Sequence, residues 1–324
     1  MPLKIFVDFT LPPNAFKLLQ EGTKDHELVF PKAPATSVLA KSSWDPAFAL
    51  VDVAFGQPDP EAVQKTEKLR LIQISSSGIT RYDNPQFRHL VADKKVAVCN
   101  AASVYSEQCA LHALSFILAQ ARMLPQALRT RVAGGSPEWN RLRSSCIGLE
   151  GQTVLIVGYG AIGKRLGDML KPLNVNVVAY RRHPAQNEAV RVIGVKELDH
   201  VLSQQADHIV NILPDSAETR HFFNRAKFSN VKPGAIFYNI GRGGTVDQEA
   251  LLGALRSKRL GAAWLDVTDP EPLPDSHPLY EEPNCYITPH VAGGENDESE
   301  KLVRHFLNNL KRFVNSEALV DRVM

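Results

Sequence analysis

The sequence predicts an α/β protein of two parallel-sheet units, each doubly wound with helices, and three observations support that prediction. Short apolar runs alternate with stretches of helical spacing through the first hundred residues. The alternation restarts after residue 151. At 324 residues, the chain is also longer than one ordinary core fills. Strands separated by helices lie parallel, because each return along the sheet needs a crossover.

In chain order, the strand-like runs of the first part are KIFVDF (4–9), ELVF (27–30), ALVDVAF (49–55), LRLIQIS (69–75) and KVAVCN (95–100). PNAFKLLQEG (13–22) and EAVQKTEKL (61–69) have helical spacing. A long helix follows over 103–122, with Ser103 as a cap and an apolar stripe of Ala110, Ala113, Leu114, Ile117, Leu118 and Ala121. A stripe so apolar packs either between domains or at a subunit interface. Beyond residue 151 come TVLIVG, NVVAY, HIVNILP, AIFYNIG, AAWLDV and CYITPH. These are six strands, the number in a Rossmann dinucleotide-binding sheet. A final helix over 295–314 starts with acids and ends with Lys311 and Arg312, as the helix dipole favours.

With 44% hydrophobic and 22% charged residues and a net charge of +2, the composition is that of an ordinary globular protein. That charge is too small to predict a nucleic-acid or membrane partner. No run of about 18 apolar residues predicts a membrane span. The opening MPLKIFVDFT lacks the pattern of a secretory leader, so a cytoplasmic setting is expected. Cys99, Cys109, Cys146 and Cys285 form no CxxC pair and read as reduced structural thiols, with no metal site expected.

Between a strand and a helix, GYGAIG supplies Gly158, Gly160 and Gly163 in G-x-G-x-x-G spacing. The first glycine permits the turn, the second lets a pyrophosphate approach the backbone, and the third lets helix and strand pack closely. The amides of Ala161 and Ile162 would then face the phosphates. Such folds usually end the next strand with an acid that holds a ribose diol. Here VVAYRRHP puts Arg181 and Arg182 there. Arginine suits a 2′-phosphate, which predicts NADP as preferred cofactor with NAD possible. The alternative is that both arginines are solvated loop residues.

Three more segments follow the fourth, fifth and sixth of these strands: NIGRGGTVD with Arg242, LDVTDPEPLP with Asp266 and Glu271, and TPHVAGG with His290. Together with SSSGITRYD (75–83), NAASVYSEQCALHAL (100–114) and NILPDSAETRHFFN (211–224), they resemble the D-isomer-specific 2-hydroxyacid dehydrogenase family over essentially the whole chain. The resemblance implies that Arg242 holds the substrate carboxylate and carbonyl oxygen. It makes His290 the acid/base and Glu271 its partner. Asp266 would contact the nicotinamide end of the cofactor, with Leu213, Pro214, Thr219, Ile240 and Gly293 also in the cofactor site. Main-chain amides at Ser77, Gly78 and Ile79 would bind the substrate carboxylate.

The chemistry needs those residue types. Reduction puts negative charge on a carbonyl oxygen, which a protonated imidazole neutralises. A neighbouring carboxylate favours the charged imidazole, and arginine grips a carboxylate with two donors. The resemblance further implies a flavodoxin-like substrate domain over 1–100 plus 292–324, a dinucleotide domain over 101–291, a cleft that closes, and a homodimer. LDVTDPEPLP followed by HPL is similar to the glyoxylate/hydroxypyruvate reductase branch, which implies small 2-keto acids. Bulkier ones such as phenylpyruvate are the alternative, and an NAD(P)-sensing co-repressor is the alternative of another class. This chain departs from the family pattern in NAAS (100–103), in Leu111 beside His112, and in Tyr105 and Ser106.

Overall fold

A computed structural model describes residues 2–35, 45–184 and 188–324, which divide into two compact units. The first unit, up to Tyr105 and again from Gly294, starts with β1 (Lys4–Val7), α1 (Pro13–Gly22), β2 (Glu27–Val29) and β3 (Val53–Gly56). It continues with α2 (Pro60–Gln64), β4 (Leu71–Ile74), α3 (Pro85–Asp93) and β5 (Ala97–Cys99), and enters α4 (Ala102–Ala121). Its five parallel strands run in the order β2-β1-β3-β4-β5, the flavodoxin-like winding.

The second unit, Ser106–Gly293, takes the rest of α4, then α5 (Leu124–Arg129), α6 (Pro137–Ser145), β6 (Thr153–Val157) and α7 (Ala161–Leu170). There follow β7 (Asn176–Tyr180), β8 (Arg191–Ile193), α8 (Val195–Gln204), β9 (His208–Asn211) and α9 (Arg225–Ser229). β10 (Ala235–Asn239), α10 (Gln248–Arg256), β11 (Leu260–Leu265) and β12 (Cys285–Ile287) complete it. The order β12-β11-β10-β9-β6-β7-β8 is the Rossmann order, 3-2-1-4-5-6, with one further strand at the far edge. All its pairings are parallel, and the winding reverses between β6 and β9. α11 (Glu298–Val314) returns to the first unit.

Several local expectations need correction. The second sheet has seven strands rather than six. β8 is a half-exposed edge strand of three residues containing an arginine, too short and too polar for an apolar-run criterion. α2 stops at Gln64 instead of running to Leu69, because Lys94 Nζ takes the carbonyls of Gln64 and Thr66. α3 was not anticipated, although Asn84 caps it through Phe87 N–H and Pro85 fits its first turn. Ser103 lies inside α4 rather than capping it: Asn100 Oδ1 accepts from Ala102 N–H, and Asp321 accepts from both the amide and the hydroxyl of Ser103. That anchorage, with Tyr105 Oη bonded to Glu298 Oε1, keeps the first turn of α4 in the first unit. The two compact units divide at 105/106 and 293/294.

Each unit has its own core. In the first, Phe55 stacks on Phe306 of α11 at 4.4 Å, and Gly22 of α1 lets Leu307 come so near that a Cβ would sit 2.4 Å from it. The last residues close this unit, with Val323 N–H donating to Val98 O and Asn100 N–H to Asp321 O. In the second, the stripe on α4 divides: Ala110, Ala113, Ile117 and Ala121 are buried, whereas Leu118 is exposed. Trp264 of β11 locks this helix to the sheet by packing on Phe116 and bonding to Gln120. The four cysteines are free thiols, and burial pushes those of Cys99 and Cys285 up to about 12. Among the described residues, no helix is long and apolar enough to cross a membrane.

His208 on β9 is almost fully buried, between Tyr238 Oη at 2.9 Å and Gln152 Oε1 at 2.6 Å, and burial lowers its pKa to about 4. An unfolded histidine takes its proton near 6.5, so between those values the unfolded state binds more protons and stability falls as pH falls. Unfolding free energy should therefore drop by about 2 kcal/mol between pH 6.5 and 5 from this group. Urea titrations across that range should show His208→Gln removing this part of the slope. An unchanged slope would mean that His208 is not held neutral.

Candidate active site

The glycine turn lies at the end of β6, beside the reversal of the winding. Gly158 has φ +104°, and a Cβ there would lie 2.8 Å from the backbone of Ile212. Gly163 leaves only 2.7 Å between a Cβ and the Gly158 carbonyl. Gly160 differs: its missing Cβ points into open space, before a helix whose first amides, Ala161 and Ile162, have no acceptor among the described residues. Two glycines tighten the turn and one leaves it open. A pyrophosphate fits that opening.

At the end of β7, Arg181 bonds Glu188 at 2.8 Å, and Lys164 of α7 holds the other oxygen of Glu188 at 3.0 Å. These contacts, Lys164 first, keep the Glu188 carboxyl below the usual carboxylate range. Arg182 is exposed and pairs with Glu218. Both arginines thus have carboxylate partners that sequence spacing did not reveal.

The loops after β9 to β12 start level, because Asn211, Asn239, Leu265 and Ile287 are in register. Asn211 and Asn239 are buried polar ends of adjacent strands. Asn211 Nδ2 donates to Asn239 Oδ1 and to Thr245 Oγ1, while Asn239 Nδ2 and Thr245 Oγ1 both donate to the carbonyl of Arg242. This network fixes the backbone that bears Arg242. The Arg242 guanidinium is half-buried, bonds the Gly241 carbonyl at 2.7 Å and, among the described residues, has no carboxylate partner. The network was missed in the sequence, although two strands of one sheet ending in asparagine was the available signal.

His290 adopts φ +52° after β12, and its Nδ1 lies 2.5 Å from Glu271 Oε1. Nε2 has no protein partner among the described residues, so this ring nitrogen is available to a substrate. The left-handed backbone is held by Asp266, which is 1% exposed. Its main-chain carbonyl accepts His290 N–H, and its carboxylate accepts from Thr288 Oγ1 at 2.6 Å and from the amides of Val291 and Ala292 at 2.9 Å. Within the protein, then, Asp266 fixes the turn that aims His290. His112 sits 3.6 Å from the same carboxylate, yet desolvation outweighs that attraction and lowers its pKa.

Of the other anticipated cofactor residues, Leu213 and Ile240 are buried at the ends of β9 and β10, Pro214 is exposed, and Gly293 is half-buried. The Thr219 hydroxyl is spent within its loop, donating to Pro214 O and accepting from Ser216 N–H. In the first unit, every carbonyl of residues 75–79 accepts from a protein donor: Tyr105 Oη, Ala101 N, Asn100 Nδ2, Ser76 Oγ and Tyr82 N in turn. Among the described residues, the amides of Ser77, Gly78 and Ile79 donate to no protein group. Three consecutive amides without a protein acceptor are the donors from which an anion nest is built.

The chain was compared with known proteins. Residues 114–292 match the family model for the NAD-binding domain of D-isomer-specific 2-hydroxyacid dehydrogenases. A glyoxylate reductase/hydroxypyruvate reductase from Mus musculus is 34% identical over 78% of this chain and 76% of its own length. A glyoxylate reductase from Thermococcus litoralis is 28% identical over 98% of this chain and 95% of its own. A D-isomer-specific 2-hydroxyacid dehydrogenase from Xanthobacter autotrophicus, solved with NADPH and MES, superposes with a TM-score of 0.79 at 22% identity, covering 100% of this chain and 98% of that one.

Replacing Asp266 with Asn puts an NH2 group among partners that are all donors to it, leaving at least one bond unmade. The variant should lose about 1–3 kcal/mol of stability and show faster hydrogen exchange at Val291 and Ala292. Unchanged exchange there would mean that another group holds the turn.

Proposed function

The chain belongs to the D-isomer-specific 2-hydroxyacid dehydrogenase family, and from that premise we propose that it reduces a small 2-keto acid, of the glyoxylate and hydroxypyruvate kind, to the D-2-hydroxy acid, with NADPH as preferred donor. The observation that supports this best is the 2.5 Å contact between His290 Nδ1 and Glu271, beside an imidazole Nε2 left free. The names of the mouse and Thermococcus relatives favour the substrate class.

Gly158, Gly160, Gly163 and the first amides of α7 hold the dinucleotide, which when bound supplies the hydride to C2 of the keto acid. Arg242 binds the carboxylate and steadies the carbonyl oxygen as negative charge grows there. His290 delivers the proton to that oxygen from Nε2. Glu271 accepts from Nδ1–H, which fixes the tautomer and favours the charged ring before transfer. Asp266 keeps the His290 backbone in its left-handed conformation, acting on the reaction through position. The amides of Ser77, Gly78 and Ile79 take the substrate carboxylate.

The NADPH preference rests on Arg181 and Arg182 as phosphate ligands. A second reading, NAD as working cofactor, is favoured by the carboxylates of Glu188 and Glu218 already paired with these arginines.

His290→Ala should lower kcat by about 10²- to 10⁴-fold while nicotinamide fluorescence still reports cofactor binding. Near-normal turnover would remove His290 from the mechanism. With glyoxylate as common substrate, NADPH should give the higher kcat/KM, and Arg181→Ala or Arg182→Ala should shrink the preference by about tenfold, or about 1.4 kcal/mol. Equal use of both cofactors, unchanged by either substitution, would establish the NAD reading.

A further inference from the structure

The anion nest at 77–79 has a cationic neighbour that the reaction described so far does not use. Arg81 is half-buried, and among the described residues no carboxylate lies within ion-pairing distance of it. One guanidinium nitrogen reaches Gln57 Oε1 at 3.4 Å, and the group also faces the Tyr82 hydroxyl. Gln57 is buried and rigidly placed: its Nε2 donates to Ser76 Oγ at 2.8 Å and to Ser75 Oγ at 3.2 Å. Ser76 Oγ in turn donates to the Gly78 carbonyl. A chain of four groups therefore ties Arg81 to the backbone of the nest. A surface arginine free to find its own counter-ion would need no such tether.

Counting donors shows what the tether is for. A carboxylate offers about four lone-pair sites. The amides of Ser77, Gly78 and Ile79 supply three donors, and the role proposed above for Arg242 adds at least one more. The unspent donors of Arg81 then have no acceptor on the carboxylate next to the keto group. A tail with a hydroxyl can accept from two of them at most, and leaves the positive charge uncompensated.

We propose that Arg81 is a specificity-determining residue that recognises a second anionic group, so that the preferred substrate is a 2-keto acid whose tail ends in a carboxylate or phosphate. This rests on the 2-keto acid reduction proposed above and narrows its substrate class. The guanidinium fork suits such a group, and its partial burial strengthens the interaction over that of an exposed pair.

The test is a pair of substrates equal in shape and different in charge: oxaloacetate, and 4-methyl-2-oxopentanoate, whose branched tail matches the second carboxylate without its charge. Glyoxylate, which has no tail, is assayed beside them. In the wild type the ratio of kcat/KM for oxaloacetate to that for 4-methyl-2-oxopentanoate should be at least about tenfold, equivalent to about 1.4 kcal/mol. R81Q should bring the ratio close to one, chiefly through the KM for oxaloacetate, and R81K should keep part of it. A ratio near one in the wild type overturns the inference. So does a parallel loss on both tailed substrates in R81Q, which would make Arg81 a support of the loop or a ligand of the first carboxylate. Glyoxylate turnover separates the two levels: with it, a failed ratio removes only the role of Arg81, and no turnover on any of the three removes the reductase reading and this inference together.

Discussion

Close approach between loops at the carboxyl edge of the seven-stranded sheet is the constraint on which the candidate site depends. Parallel register brings the strands to a common level, but it does not bring their loops into contact. Glycines do that. A Cβ at Gly158 would strike Ile212, one at Gly241 would lie 2.7 Å from the carbonyl of Leu213, and one at Gly243 would lie 1.9 Å from that of Thr268. Successive loops thus touch backbone to backbone. Side chains at these positions would force them apart by ångströms, and misplacement on that scale is costly for catalysis. The buried Asn211–Asn239–Thr245 network works within the same layer, satisfying polar groups that the contact removes from water.

Around that frame, two carboxylates a few residues apart are divided by environment. Asp266 is sealed in and surrounded by donors on the 288–292 turn, so its charge is spent on geometry. Glu271 is partly exposed and faces the imidazole of His290. The first unit presents a different arrangement. There the loop at 75–79 turns its carbonyls inward and saturates them, leaving its amides as the reactive face. Arg242 in one unit and Arg81 in the other have, among the described residues, no carboxylate partner.

Much of this was legible in the sequence. Alternating apolar runs identified eleven of the twelve strands, because a strand buried on both faces is apolar throughout. The glycine turn, Arg242, Glu271 and His290 were legible through motif order. What stayed hidden depended on tertiary contact. β8 is stabilised by its pairing with β7, not by its own apolarity. Glu188 and Glu218 reach Arg181 and Arg182 from 7 and 36 residues away. Ser103 had the right residue type for a cap, but Asn100 and the distant Asp321 outcompeted it for that position. The task of Asp266 within the protein was invisible for the same reason, since its partners lie 22 to 26 residues further on.

The interleaving of the units also governs the order of events during synthesis. All strands of the first unit emerge early, but Phe306, which completes their core, and Asp321, which holds the start of α4, are translated only after the entire second unit. The nascent first sheet must therefore wait for these contacts while nearly two hundred residues pass through the ribosome. The second unit has all its strands in hand and can fold at once. Chaperone dependence should thus concentrate on the early sheet, and truncated products of this messenger would display a finished nucleotide fold attached to an unfinished partner.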